Sequence, residues 1–248
     1  MTVQLTTLSN GLRIVTDPMN SVETVALGVW VDAGTRHETA DVNGISHLLE
    51  HMAFKGTTRR SAQAIAEEMD NVGGQLNAYT SRDHTAYFAK VLKEDVGVAT
   101  DIVADILINS TMDAEELARE QHVVVQEIYQ AIDTPDDIIF DHAQAAAFPN
   151  QPLGWPVLGQ EKIVRDITPA KLKAHMARYY APDATVVSAS GAIQHDAFVR
   201  LVETAFGGLT PRERPEPVPG AYRGGDFREE RDLEQAHLVL GFAGLAHN

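Results

Sequence analysis

Gly44-Ile45-Ser46-His47-Leu48-Leu49-Glu50-His51-Met52 is the stretch on which the reading of this chain turns. On a helix, His47 and His51 lie one turn apart on one face, and Glu50 points to the same side. Two imidazoles so placed can converge on one small cation at about 2.0–2.1 Å each, which suits Zn²⁺. Glu50 can stay off the metal and take a proton from water polarised beside it, generating a nucleophile for an amide carbonyl. Asn43-Gly44 marks a helix start and Gly56 a stop. Between them Ile45, Leu48, Leu49 and Met52 recur at helical spacing. The competing reading is a pair of ordinary buried, hydrogen-bonded histidines beside an apolar stripe.

Composition narrows the chemistry. The 248 residues suffice for one large domain or two small ones, and 44% are apolar, enough for a substantial core. Twenty Lys and Arg against 35 Asp and Glu give a net charge of −15. That excludes nucleic acid as the main partner and suits a basic peptide. With no cysteine, any metal must be held by histidine and carboxylate. No run approaches 18 apolar residues, so no membrane span is expected. Met1-Thr2-Val3-Gln4-Leu5 opens without a charged and then apolar leader, so no export signal is expected.

The rest of the chain alternates strand and helix signals irregularly. Val3–Leu8 and Leu12–Thr16 flank Ser9-Asn10-Gly11, a hairpin signature. Thr24–Asp32 is a buried strand candidate, and Gly34–Asp41 is a loop. Ser61 caps a helix to Val72, and Gln75–Ser81 and His84–Leu92 form an antiparallel pair. Glu94–Asn109 carries an apolar stripe of Val96, Ala99, Ile102, Val103, Ile106 and Leu107. Helices are also expected over Asp113–Ile132, Asp136–Phe148, Pro169–Tyr180 and His195–Phe206, with a loop at Pro149–Gly159 and a strand at Thr185–Gly191. Pro211–Gly225 reads as linker and Ala236–Phe242 as one more strand. The predicted class is α+β, a mostly antiparallel sheet packed with helices.

A catalytic zinc needs a third protein ligand. Helix Asp113–Ile132 offers Glu115, Glu116, Glu120 and Glu127, with an apolar interior expected at Val123, Val124, Ile128 and Ile132. Glu120 and Glu127 are seven apart, on one face. A carboxylate on the core side is costly unless paired or metal-bound. Glu127, among the apolar residues, is the better candidate, with a surface glutamate as the alternative.

At this point the sequence resembles the pitrilysin, or inverzincin, metallopeptidase family. There the third ligand is a glutamate about 76 residues beyond the second histidine, and 76 from His51 is Glu127. A second family glutamate seven residues earlier falls on Glu120. The run Gly44–Thr57, Leu76-Asn-Ala-Tyr-Thr-Ser-Arg82 and Phe140-Asp141-His142 are similar to the branch containing the mitochondrial processing peptidase β subunits and their bacterial relatives. The likeness runs from about Leu5 to Leu209.

The resemblance implies that His47, His51 and Glu127 hold one Zn²⁺ per chain, that Glu50 is the general base, and that Glu120 orients a histidine ligand. It places Phe54 in the pocket for the residue after the scissile bond. It puts Asn77 and Ala78 on an edge strand that pairs with an extended peptide. Asp137 and Asp141 become a clamp for a substrate arginine, Asp137 being one methylene shorter than the family's glutamate. Gln151–Gly159 would lie beside the cleft. His84, His122 and His142 are structural, and His37 has no assigned role.

Family members have two such halves around an enclosed chamber, and the second supplies an Arg–Tyr pair for which no residue here is a match. The expected organisation is a zinc-binding catalytic domain over residues 1–210, a linker over 211–235, and the first strand of a second domain over 236–248. The expected function is the catalytic half of a zinc endopeptidase cutting extended basic or presequence-like peptides, needing a partner half in cis or as a subunit. The alternative is a non-catalytic peptide-binding or structural subunit. The missing leader favours a bacterial cytoplasm over a mitochondrial matrix.

Overall fold

Thr24–Val31 (β3) and Thr85–Leu92 (β5) set the frame of the sheet. Both are rich in β-branched and aromatic residues, and they pair antiparallel over their full length, Thr24 opposite Leu92 and Val31 opposite Thr85. The structure, a computed structural model, describes residues 3–215 and 218–245. Gln4–Thr7 (β1) and Arg13–Pro18 (β2) form the expected hairpin, with Gly11 at φ +90° in its turn. Gln75–Thr80 (β4) pairs antiparallel with β5, and Thr185–Gly191 (β6) lies between β2 and β3. The order is β1-β2-β6-β3-β5-β4, antiparallel throughout except for the parallel β2–β6 pair. β4 is therefore an edge strand.

Eight helices are formed among the described residues: α1 Ile45–Ala53, α2 Ala62–Asn71, α3 Val96–Ile108, α4 Ala114–Asp133, α5 Pro135–Ala147, α6 Glu161–Arg165, α7 Pro169–Tyr179 and α8 His195–Phe206. Their starts follow the capping signals. Ser61 Oγ accepts from Ala64 N, Asp113 Oδ1 from Glu115 N and Glu116 N, and Thr168 Oγ1 from Lys171 N. Pro135 and Pro169 open their helices, where a missing N–H costs nothing. The short α6 was not foreseen.

Two apolar clusters hold the elements together. In the larger, Val25, Leu27, Val29, Tyr87 and Val91 of the sheet meet Ile102, Val103 and Ile106 of α3 and Phe198, Val202 and Phe206 of α8. The smaller joins Ile45, Leu48, Leu49 and Met52 of α1 to Leu117, Val124 and Ile128 of α4 and Leu172 of α7. Each such side chain removed from water contributes about 1.5–3 kcal/mol. The smaller cluster fixes α1 against α4.

Two expectations are corrected, those for the inward face of α4 and for a strand at Ala236–Phe242. On α4 the buried positions include Val124, Val125 and Ile128, whereas Val123 and Ile132 are exposed, because the inward stripe runs 117, 120, 124, 128, 131. The chain from Ala221 to Arg231 lies against the domain: Ala221 exchanges two hydrogen bonds with the Gln151 side chain, Arg223 N donates to Ala147 O, Phe227 stacks on His142 at 4.0 Å, and Arg231 Nη1 donates to Ile132 O. Ala236–Phe242 forms no strand among the described residues, and Leu238 and Phe242 are 79% and 84% exposed. A strand needs a neighbour for its backbone groups, and none is placed beside it. Met1, Thr2 and residues 246–248, which the expected domains include, lie outside the described residues.

Candidate metal centre

The HxxEH stretch folds as α1 because its two faces divide cleanly. Ile45, Leu48, Leu49 and Met52 are buried, while His47, Glu50 and His51 stay partly exposed on the opposite side. Gly44 starts the helix at φ +95°, in the left-handed region, and a Cβ there would stand 2.8 Å from Leu158 O. Glu38, buried, caps the first turn. Its Oε2 accepts from Asn43 Nδ2 at 2.9 Å and Gly44 N at 2.8 Å, and its Oε1 from Ser46 N at 2.9 Å. Burial nevertheless pushes the Glu38 carboxyl up to about 7. Behind it, burial holds His175 down to about 3 and keeps it neutral.

α4 crosses α1 so that Glu127 faces both histidines. Glu127 Oε2 is 3.7 Å from His47 Nε2 and 3.6 Å from His51 Nε2, and one donor atom from each of the three lies within 4.8 Å of the others. These separations are too long for hydrogen bonds, and Glu127 Oε2 is buried without a partner. A tetrahedral cation with bonds of about 2.1 Å spaces its ligands about 3.4 Å apart, close to what is seen. The three residues therefore fit one metal ion, and a nitrogen–nitrogen–oxygen set suits zinc. Burial, and secondarily the neighbouring His51, hold His47 down to about 3, so its imidazole is neutral and able to ligate.

The surroundings orient this set. Glu120, buried, accepts from His51 Nδ1 at 3.0 Å through Oε2 and from Lys55 Nζ at 2.8 Å through Oε1. The first contact leaves His51 Nε2 free to face Glu127. Glu50 Oε2 accepts from Thr80 Oγ1 at 2.7 Å. Burial pushes the Glu50 carboxyl upward, and the Thr80 hydrogen bond opposes that shift. Lys55 and Thr80 were missed in the sequence. Neither has a local signal, since their partners lie 65 and 30 residues away (120 − 55; 80 − 50).

The substrate-side candidates are more dispersed. Asn77 and Ala78 are on the edge strand as expected, and Asn77 Oδ1 accepts from Ala78 N at 2.8 Å. Phe54 is half-buried against the larger core and borders a concavity of about 990 Å³ with Leu76, Asn77, Trp30 and Phe88; no metal-ligating residue lines it. Asp137 and Asp141 share α5, a helix without a buried residue. Asp141 Oδ1 already accepts from Arg82 Nη2 at 2.8 Å. His37 is buried and accepts from Gly34 N, while His84 contacts Tyr79 and His122 contacts Ala118 O. No helix among the described residues is long and apolar enough to cross a membrane.

Comparison with known proteins agrees with this geometry. The insulinase family, peptidase family M16, matches residues 13–161, and the peptidase M16 inactive domain matches residues 166–247. The chain is 44% identical over 245 residues to the uncharacterized zinc protease YmxG of Bacillus subtilis, covering 96% of this chain and 58% of that protein. It is 39% identical over 249 residues to the probable mitochondrial-processing peptidase subunit beta of Arabidopsis thaliana, covering 98% and 47%. The crystal structure of a protease from Helicobacter pylori shares the fold with a TM-score of 0.82 at 24% identity, over 90% of this chain and 54% of that one. The chain thus spans about half the length of the relatives it matches. With the His47–His51–Glu127 group and the sequence match in agreement, the chain belongs to the insulinase family of zinc peptidases, peptidase family M16.

Proposed function

We propose that this chain is the catalytic half of a zinc endopeptidase acting on short, extended, basic or presequence-like peptides. The observation that carries the proposal is the convergence of His47, His51 and Glu127 at metal spacing with Glu50 on the same helix face. Bound there, zinc would lower the pKa of water and polarise the scissile carbonyl. Glu50 takes the proton of the attacking water and passes it to the leaving amine. A carboxyl raised by burial is better matched to that task near neutral pH. Glu120 keeps His51 in the tautomer and orientation that present Nε2.

β4 offers an open edge for the substrate. The Ala78 amide, satisfied by the Asn77 side chain, is the donor an incoming peptide would take over. Phe54 is proposed to contact the residue after the cleaved bond. Asp137 and Asp141 supply the acidic surface for a substrate arginine, which would share Asp141 with Arg82. Residues 1–210 form the catalytic domain in this proposal, 211–235 the connection, and 236–248 the start of a second domain. That second half closes the cleft and stabilises the developing oxyanion.

Glu50→Gln tests the base directly in the assembly of this chain with its second half. Zinc content should be unchanged and peptide hydrolysis lost. Wild-type turnover by the variant would remove Glu50 from the mechanism. The isolated 248-residue chain should hydrolyse the same peptide only weakly, and robust turnover by the monomer would contradict the need for a partner half.

A further inference from the structure

The edge strand and the base are physically joined. Thr80 is the last residue of β4, and its hydroxyl donates to Glu50 Oε2 at 2.7 Å while lying 3.4 Å from Ser46 O in the first turn of α1. Its partner across the ladder, Thr85, is fully buried and donates to Ala33 O, which anchors this end of the hairpin. Ser81 N donates to His84 O. In an antiparallel ladder, bonded and non-bonded pairs alternate, so Ala78 turns its backbone groups toward the open edge, while Thr80, at the end of the strand, faces α1. The Ala78 amide donates to the Asn77 side chain. A peptide added to this edge would therefore fix the strand that ends in the residue whose side chain holds the base.

We propose that Thr80 is a positioning residue that couples an extended peptide on β4 to the orientation of Glu50. The inference rests on the reading of Glu50 as general base. A glutamate has three rotatable side-chain bonds, and losing its one side-chain donor frees the carboxylate to leave the metal-facing direction. Thr80 reaches the carboxylate twice over, its hydroxyl donating to Oε2 and its backbone amide also facing Glu50.

Thr80→Val keeps the shape and removes the hydroxyl, whereas Thr80→Ser keeps the hydroxyl and removes the methyl. In the assembly with the second half, Thr80→Val should lower kcat on an extended peptide roughly 10-fold, the worth of one hydrogen bond to a charged group, with KM within about 2-fold. Zinc content and thermal midpoint should stay at wild-type values, and Thr80→Ser should restore kcat. Unchanged kcat in Thr80→Val, a change in KM alone, or failure of Ser to rescue would each overturn the proposal. Glu50→Gln separates the two readings: if it stays active, both fall, and if it is dead while Thr80→Val is wild-type, only the coupling falls. A crystal structure of the Thr80→Val chain tests the same point without turnover. The Glu50 carboxylate should leave its present position, and an unmoved carboxylate overturns the proposal.

Discussion

The α1–α4 crossing and helix α5 are neighbours in sequence held in opposite ways. α1 buries six of its nine residues, its start is clamped by Glu38, and α4 meets it through a shared apolar cluster. α5 buries none of its thirteen residues and is held by scattered surface contacts: Arg82 on Asp141, Gln144 on Leu153 O, Phe227 on His142 and Arg223 on Ala147. The proposed zinc ligands and the proposed base stand on the first region, whereas the acidic residues proposed to read the substrate stand on the second. Reacting groups must be preorganised to fractions of an ångström, which packed helices provide. Groups that read a variable peptide can sit on a surface that a second half completes.

The comparison breaks first on stability. Leu49→Ala, in the α1–α4 cluster, should cost about 2–5 kcal/mol, whereas Phe140→Ala on α5, where the ring is 64% exposed, should stay within about 0.5 kcal/mol. Urea unfolding of both variants measures the contrast, and similar losses would erase it. Metal affinity sharpens it next. Glu120→Gln should weaken zinc binding about 10–100-fold in a chelator competition, and Asp141→Asn should leave it unchanged.

The third contrast is electrostatic. His175 is held down to about 3 from 6.5, so between those values the folded chain binds fewer protons than the unfolded one. Its contribution is whole above pH 6.5 and is lost as pH falls toward 3. Glu38, pushed up to about 7 from 4.5, has the opposite sign: the folded chain keeps the proton longer, and stability falls as pH rises through that window. In zinc-free protein, His175→Gln should flatten the loss between pH 6 and pH 4, pH values taken inside that first window, by at most about 1.4 kcal/mol per pH unit. Equal profiles for wild type and His175→Gln would show that burial of this imidazole does not govern the acid limb.

How much of this was legible in the sequence follows the range of each contact. His47, Glu50 and His51 were readable because helix geometry fixes i and i+4 on one face. Glu127 was one of several carboxylates until the resemblance supplied its spacing. The helix caps Ser61 and Asp113 were readable because their partners lie within three residues. Thr80 and Lys55 were not, since nothing local marks a hydroxyl or an ammonium for a partner tens of residues away. Val123 and Ile132 were misplaced because an apolar residue says nothing by itself about which face is covered. The alternation of Ala236–Phe242 is a strand pattern without a neighbouring strand, and pattern alone does not close a ladder.

Zinc stoichiometry under dialysis tests the central claim most directly. Wild-type chain and Glu127→Ala, each dialysed against buffer containing a weak chelator, would be analysed for metal by mass spectrometry alongside a circular dichroism check of folding. The structure predicts one zinc per wild-type chain and a folded Glu127→Ala chain that has lost it. A Glu127→Ala chain that retains one zinc with wild-type affinity would contradict the three-residue centre.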